Sequence, residues 1–140
     1  MGSEMCIRDR NADSALLEFT TSLIALRRDN PALRPKWFRQ APEQDSVDSV
    51  TVLRADAVAF ADEDWDNPDA RSIAFVFEHR DAAAFALLLN SAGNGVEFTL
   101  PTAPGGAWAL ALSSDAEQSF DDGSPTVIVS DHSFTLLVSR

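Results

Sequence analysis

Between Ala61 and Phe77 the chain reads ADEDWDNPDARSIAFVF. Asp62, Glu63, Asp64, Asp66 and Asp69 crowd around Trp65 and an Asn67-Pro68 break, and an apolar run follows at once. Three kinds of chemistry use such a block: calcium binding, acid catalysis, and a solvated turn. As a calcium loop it fails. Asp62, Asp64 and Asp66 alternate as ligands should, but Asn67 stands where the loop needs glycine and Ile73 where it needs a bidentate glutamate. As a catalytic pair it lacks a wall. A retaining glycosidase holds two carboxylates about 5–5.5 Å apart, one with a raised pKa, and nothing apolar here raises one acid selectively. No catalytic residue, no metal ligand and no cofactor site is therefore assigned. The expectation is a tethered turn. Asn67-Pro68 bends the chain, Asp69 accepts local N–H groups, Arg71 offsets part of the charge, and Trp65 anchors the loop.

Three tryptophans could stack on sugar rings. Trp108 alternates with Leu110 and Leu112 and reads as core. Trp37, beside Phe38 in a proline-broken stretch, reads as a packing plug. Trp65 is the candidate for a carbohydrate contact. His79 and His132 are too few for a zinc site without cysteine partners. No nucleophile elbow, phosphate loop or dinucleotide fingerprint occurs.

The elements that must hold these residues follow from hydrophobic period. Asp13 to Arg28 reads as an amphipathic helix, with Leu16, Phe19, Leu23 and Leu26 at helical spacing and Leu17 and Ile24 widening the stripe. Asp13 or Ser14 caps its start, Arg27 and Arg28 suit the negative end of its dipole, and Asn30-Pro31 stops it. Pro31 to Ser49 is irregular. From Val50 the period becomes two. Strands are expected at Val50–Arg54, Ser72–Glu78, Ala84–Asn90, Val96–Leu100, Ala107–Leu112, Thr126–Ser130 and Ser133–Ser139. Val96, Phe98 and Leu100 should share one face, as should Trp108, Leu110 and Leu112, and Phe134, Leu136 and Val138. SAGNGV reads as a hairpin connection, with Asn94-Gly95 at positive φ. Seven short strands without intervening helices predict a mainly β fold, an antiparallel sandwich preceded by one helix.

Bulk properties agree with a single domain. The chain has 140 residues, 45% of them hydrophobic and 24% charged. A net charge of -11 argues against nucleic acid and against an anionic membrane surface, whereas a neutral polymer such as a glucan stays open. Without a leader-like or spanning segment, a cytoplasmic location is expected.

The first ten residues, MGSEMCIRDR, resemble a translated transposase-type sequencing adaptor and are set aside. The only cysteine, Cys6, goes with them, and the net charge is unchanged because Glu4 and Asp9 offset Arg8 and Arg10.

The remaining chain resembles a known family. LLEFTTSLIALRRDNPALR is similar to the last barrel helix of α-amylase superfamily enzymes. ADEDWDNPDARSIAFVF, LLLNSAGNGVEFTLP and SFTLLVS resemble, in order, the C-terminal domain of bacterial glycogen debranching enzymes of the isoamylase type. The departures are Val52, where an aromatic is usual, and RADAVAF, where a Pro-Asp-Gly turn is usual. The resemblance implies residues 11–30 as the terminal helix of a catalytic barrel, 31–49 as a linker, and 50–140 as a C-terminal β-sandwich. It implies a parent enzyme that hydrolyses α-1,6 branch linkages, with its Asp, Glu and Asp catalytic groups upstream of this helix. The partner is then the chain's own catalytic barrel, packed on Leu16, Phe19, Leu23 and Leu26, with α-glucan as a further partner. The alternatives are a self-standing carbohydrate-binding module using Trp65, and an interaction domain with no sugar connection.

Overall fold

The computed structural model describes residues 13–35 and 48–140. The adaptor-like segment, Trp37, Phe38 and most of the irregular stretch lie outside them.

Helix α1 spans Ser14–Asp29. Asp13 is the cap: its Oδ1 accepts from the backbone N–H of Ala15 at 3.0 Å and of Leu16 at 3.2 Å. These satisfy two of the donors that every helix start leaves without an internal partner. At the other end Asn30 is extended, and its side-chain amide donates to the Leu26 carbonyl at 2.7 Å. Pro31 then opens a single 3-10 turn, Pro31–Leu33.

Seven strands follow: β1 (Asp48–Leu53), β2 (Ser72–His79), β3 (Ala82–Asn90), β4 (Val96–Thr99), β5 (Trp108–Ser113), β6 (Thr126–Val129) and β7 (Ser133–Ser139). A four-residue helix, α2 (Asp62–Trp65), sits between β1 and β2. All pairings are antiparallel. The larger sheet has the order β1-β2-β3-β7-β5, and β4-β6 form the smaller one.

The two sheets enclose one core. Val76, Ala86, Leu88, Trp108 and Leu137 of the larger sheet meet Phe98, Val127 and Val129 of the smaller. Each fully buried Phe or Leu contributes roughly 1.5–3 kcal/mol. A second cluster lies on the outer face of the larger sheet. Phe85 and Leu136 are buried there with Ala32 of the 3-10 turn, and Leu26 and Leu33 pack against them. This two-sided burial explains why β3 reads AAAFALLLN. Ala84, Ala86 and Leu88 face inward while Phe85 and Leu87 face the second cluster. A short apolar run marks a strand covered on both faces.

The expected mainly β fold with a preceding helix is present, and each expected strand is found within a residue or two of its bounds. Three expectations need correction. SAGNGV does not close a hairpin: β3 pairs with β2 and β7, β4 pairs with β6, and the segment crosses between sheets. Neither Asn94 nor Gly95 has positive φ. Gly95 is instead pressed against β6, where an added Cβ would lie 3.2 Å from the Ile128 side chain. Leu112 leaves the face of Trp108 and Leu110. The register of β5 shifts between Leu110 and Leu112, and this bulge turns Leu112 into the outer cluster.

Candidate functional site

The acidic block is held by the chain just before it. After β1, the segment from Arg54 turns back sharply. The Arg54 N–H donates to the Val58 carbonyl at 2.8 Å and the Ala57 N–H to the Arg54 carbonyl at 3.0 Å. Ala57 adopts φ 63°, the left-handed region that glycine occupies more cheaply. The returning segment bridges β1 at Leu53 and Ala59, and the Phe60 N–H donates to the Val52 carbonyl at 3.0 Å.

On this return sits α2. Asp64 is its internal fastener. Its Oδ2 accepts from the Ala61 N–H at 2.8 Å, and its Oδ1 lies 3.7 Å from the Arg54 guanidinium. Arg54 also grips Asp56 through a pair of hydrogen bonds, at 3.3 and 3.1 Å. These bonds, helped by the Val58 N–H, hold the Asp56 carboxyl below its ordinary range, and Asp56 in turn raises Arg54. Arg54 therefore offsets part of the local charge at Asp56 and Asp64. The turn at Asn67 differs from expectation. Asn67 Oδ1 accepts from the Asp69 N–H at 3.0 Å, so asparagine supplies the acceptor and Asp69 the donor.

Trp65 ends α2 and is 60% exposed. Its ring meets Phe60 edge-on, with centroids 4.7 Å apart at 65°. The contact steadies the indole and leaves much of the residue in solvent. Trp108 is core, 3% exposed, and its Nε1–H donates to the Pro101 carbonyl at 2.7 Å.

Among the described residues, no group of three or more His, Cys, Asp or Glu side chains could hold a metal ion. An open groove of about 420 Å³ runs between the β5–β6 loop and the smaller sheet, lined by Glu97, Asp115, Glu117, Asp121, Phe120 and Ile128. Asp115 is tied down there. Its Oδ2 accepts from the Ser130 hydroxyl at 2.5 Å and its Oδ1 from the Glu117 N–H at 2.9 Å, which hold its carboxyl below the ordinary range.

The stripe of α1 divides into three rows. Phe19 and Leu26 form the first and turn to the sandwich: Phe19 tilts against Phe134 with centroids 5.9 Å apart, and Leu26 joins the outer cluster. Leu16 and Leu23 form the middle row, 61% and 37% exposed. Leu17 and Ile24 form the third, 62% and 61% exposed. The structure thus separates Phe19 and Leu26 from Leu16, although sequence spacing groups all of them.

Sequence reasoning overlooked Asn90. It is 3% exposed, its amide donates to the carbonyls of Asn94, Val129 and Ser130, and its Oδ1 accepts from the Ala92 N–H. The signal was present: alternation from Ala84 through Ala86 and Leu88 points residue 90 inward, and a buried amide must find partners.

No family model matches the chain. Over 113 residues, 80% of its length, it is 34% identical to the glycogen debranching enzyme of Dickeya chrysanthemi. That stretch is 15% of the relative's length, so the chain spans a small part of the curated protein it matches. No helix among the described residues is long and apolar enough to cross a membrane. The chain is a two-sheet β domain with a leading helix, distantly similar to part of a glycogen debranching enzyme.

Proposed function

We propose that this chain is the C-terminal β domain of a cytoplasmic debranching enzyme that hydrolyses α-1,6 branch linkages in glycogen or its limit dextrins. Its role is structural. The sandwich of residues 50–140 caps the catalytic barrel, residues 11–30 are the barrel's last helix, and residues 31–49 link the two. The catalytic carboxylates belong to the barrel, and none lies in this chain. Similarity to part of a protein named glycogen debranching enzyme supports the assignment.

The observation that carries the docking role is the divided stripe of α1. One row of apolar side chains packs on the sandwich, while Leu16, Leu17 and Ile24 remain more than half exposed. A helix between two bodies needs an apolar row for each. Leucines and isoleucines left in water form a patch of the kind that marks a protein contact.

The test combines light scattering with an assay on branched limit dextrin. The isolated chain should self-associate and bind a hydrophobic dye, and Leu16→Ser/Leu17→Ser/Ile24→Ser should abolish both while leaving circular dichroism unchanged. Neither form should release reducing ends. A monomeric, dye-silent wild-type chain would contradict the docking role, and reducing-end release would contradict the placement of catalysis elsewhere.

A further inference from the structure

We propose that the exposed ring of Trp65 is an accessory contact for a linear α-glucan chain, separate from any catalytic centre. The choice of glucan over another neutral polymer rests on the debranching assignment; the platform itself rests on geometry.

The ring stands on a fastened support. Trp65 belongs to a helical turn fastened by Asp64 to the Ala61 N–H and to Arg54. Phe60 packs against the ring in a T-shaped contact, and Phe60 is itself hydrogen-bonded through its backbone to β1. A ring held on a rigid support loses little side-chain freedom when a ligand arrives. Although held this firmly, the indole stays 60% exposed, so the bracing does not serve to bury it.

The chemistry around the ring selects the ligand. Its face presents the negative side of the π quadrupole, which suits the C–H-rich face of a pyranose ring. Asp62, Glu63 and Asp66 flank it, all exposed and without an ion pair among the described residues. Carboxylates only accept hydrogen bonds, and sugar hydroxyls donate them. The same charges repel phosphates, nucleic acids and acidic glycans. A neutral polyhydroxylated chain satisfies both demands. One platform gives a weak contact, but a branched polymer offers many chain segments and converts weak contacts into retention.

Native electrophoresis of the 140-residue chain, in gels with and without dissolved glycogen or amylose, reads this directly. The wild-type chain should be retarded by both polymers, with retention insensitive to added salt. Trp65→Ala should weaken retention roughly tenfold, and Trp65→Phe should keep part of it. Both variants should match wild type by circular dichroism, because the ring is mostly in solvent. Absence of retardation, equal retention of Trp65→Ala, equal retardation by mannan, or loss of retention in salt would each overturn the proposal. So would shielding of Trp65 from indole oxidation in the complete enzyme, which would make it a contact between domains. None of these failures touches the debranching assignment, which the upstream gene decides.

Discussion

The side-chain amide of Asn90, at the end of β3 in the larger sheet, donates to the main-chain carbonyl of Val129 in the smaller sheet at 3.0 Å. The same amide reaches the Ser130 carbonyl at 2.9 Å and the Asn94 carbonyl at 2.8 Å. One buried side chain thus joins the two layers where the backbone ladders do not. Two amide hydrogens serve three acceptors, so the group has no spare capacity.

Asn90→Ala should therefore destabilise the domain by about 2–3 kcal/mol, because the Ala92 N–H and buried carbonyls lose their partner. Asn90→Asp should be worse at neutral pH, since it sets an acceptor against acceptors. Urea unfolding measures both, and an alanine cost within experimental error would contradict the stitch.

Ala57 carries the strain of the turn after β1. Ala57→Gly should raise stability by about 0.5–1 kcal/mol, the relief of left-handed strain less the added freedom of the unfolded chain. Thermal unfolding reads the gain. A loss would show that the Ala57 methyl group packs more usefully than its backbone suffers.

Asp115 gives a pH dependence. Its carboxyl is held low chiefly by the Ser130 hydroxyl, then by the Glu117 N–H. A carboxyl lower in the folded than in the unfolded chain contributes stability above its unfolded pKa and loses it as pH falls through the folded value. Acidification should weaken the β5–β6 loop in that window. Ser130→Ala should move Asp115 upward, as followed by carboxyl carbon NMR. An unchanged titration would contradict the hydrogen bond.

The rows of α1 should respond differently to truncation. Phe19→Ala removes the contact with Phe134 and should cost about 1–2 kcal/mol, with faster amide exchange across α1. Ile24→Ser, on the open row, should change stability by less than about 0.5 kcal/mol. Equal costs would mean that the helix does not rest on the sandwich as described.

What the sequence revealed was mostly periodic. β4 alternates cleanly, so Phe98 could be assigned to a face by counting, and in β7 the same count groups Leu136 with Phe134 and Val138 although Leu137 is buried on the other face. The bulge in β5 broke the same count at Leu112, because a one-residue irregularity inverts every later side chain and leaves no mark in residue type. Asn94-Gly95 misled because local turn chemistry says nothing about which sheet the next strand joins. At the candidate site, sequence singled out Trp65 as a loop anchor and candidate carbohydrate contact, but neither its exposure nor its supports were legible. Arg54 and Phe60 lie in the apparently featureless RADAVAF, and the fold-back onto β1 sets Phe60 against the ring and Arg54 beside Asp64. Helical spacing found the stripe of α1, yet its division into a packed row and an open row depends on where the sheet lies.

In the proposed assignment this β domain belongs to a debranching enzyme whose catalytic part covers the open row of α1. Sequencing the source DNA upstream of the Asn11 codon tests it most directly. The frame should continue into a catalytic barrel bearing Asp, Glu and Asp carboxylates. A native start codon directly preceded by an in-frame stop would contradict it, and the sandwich would then be a protein in its own right.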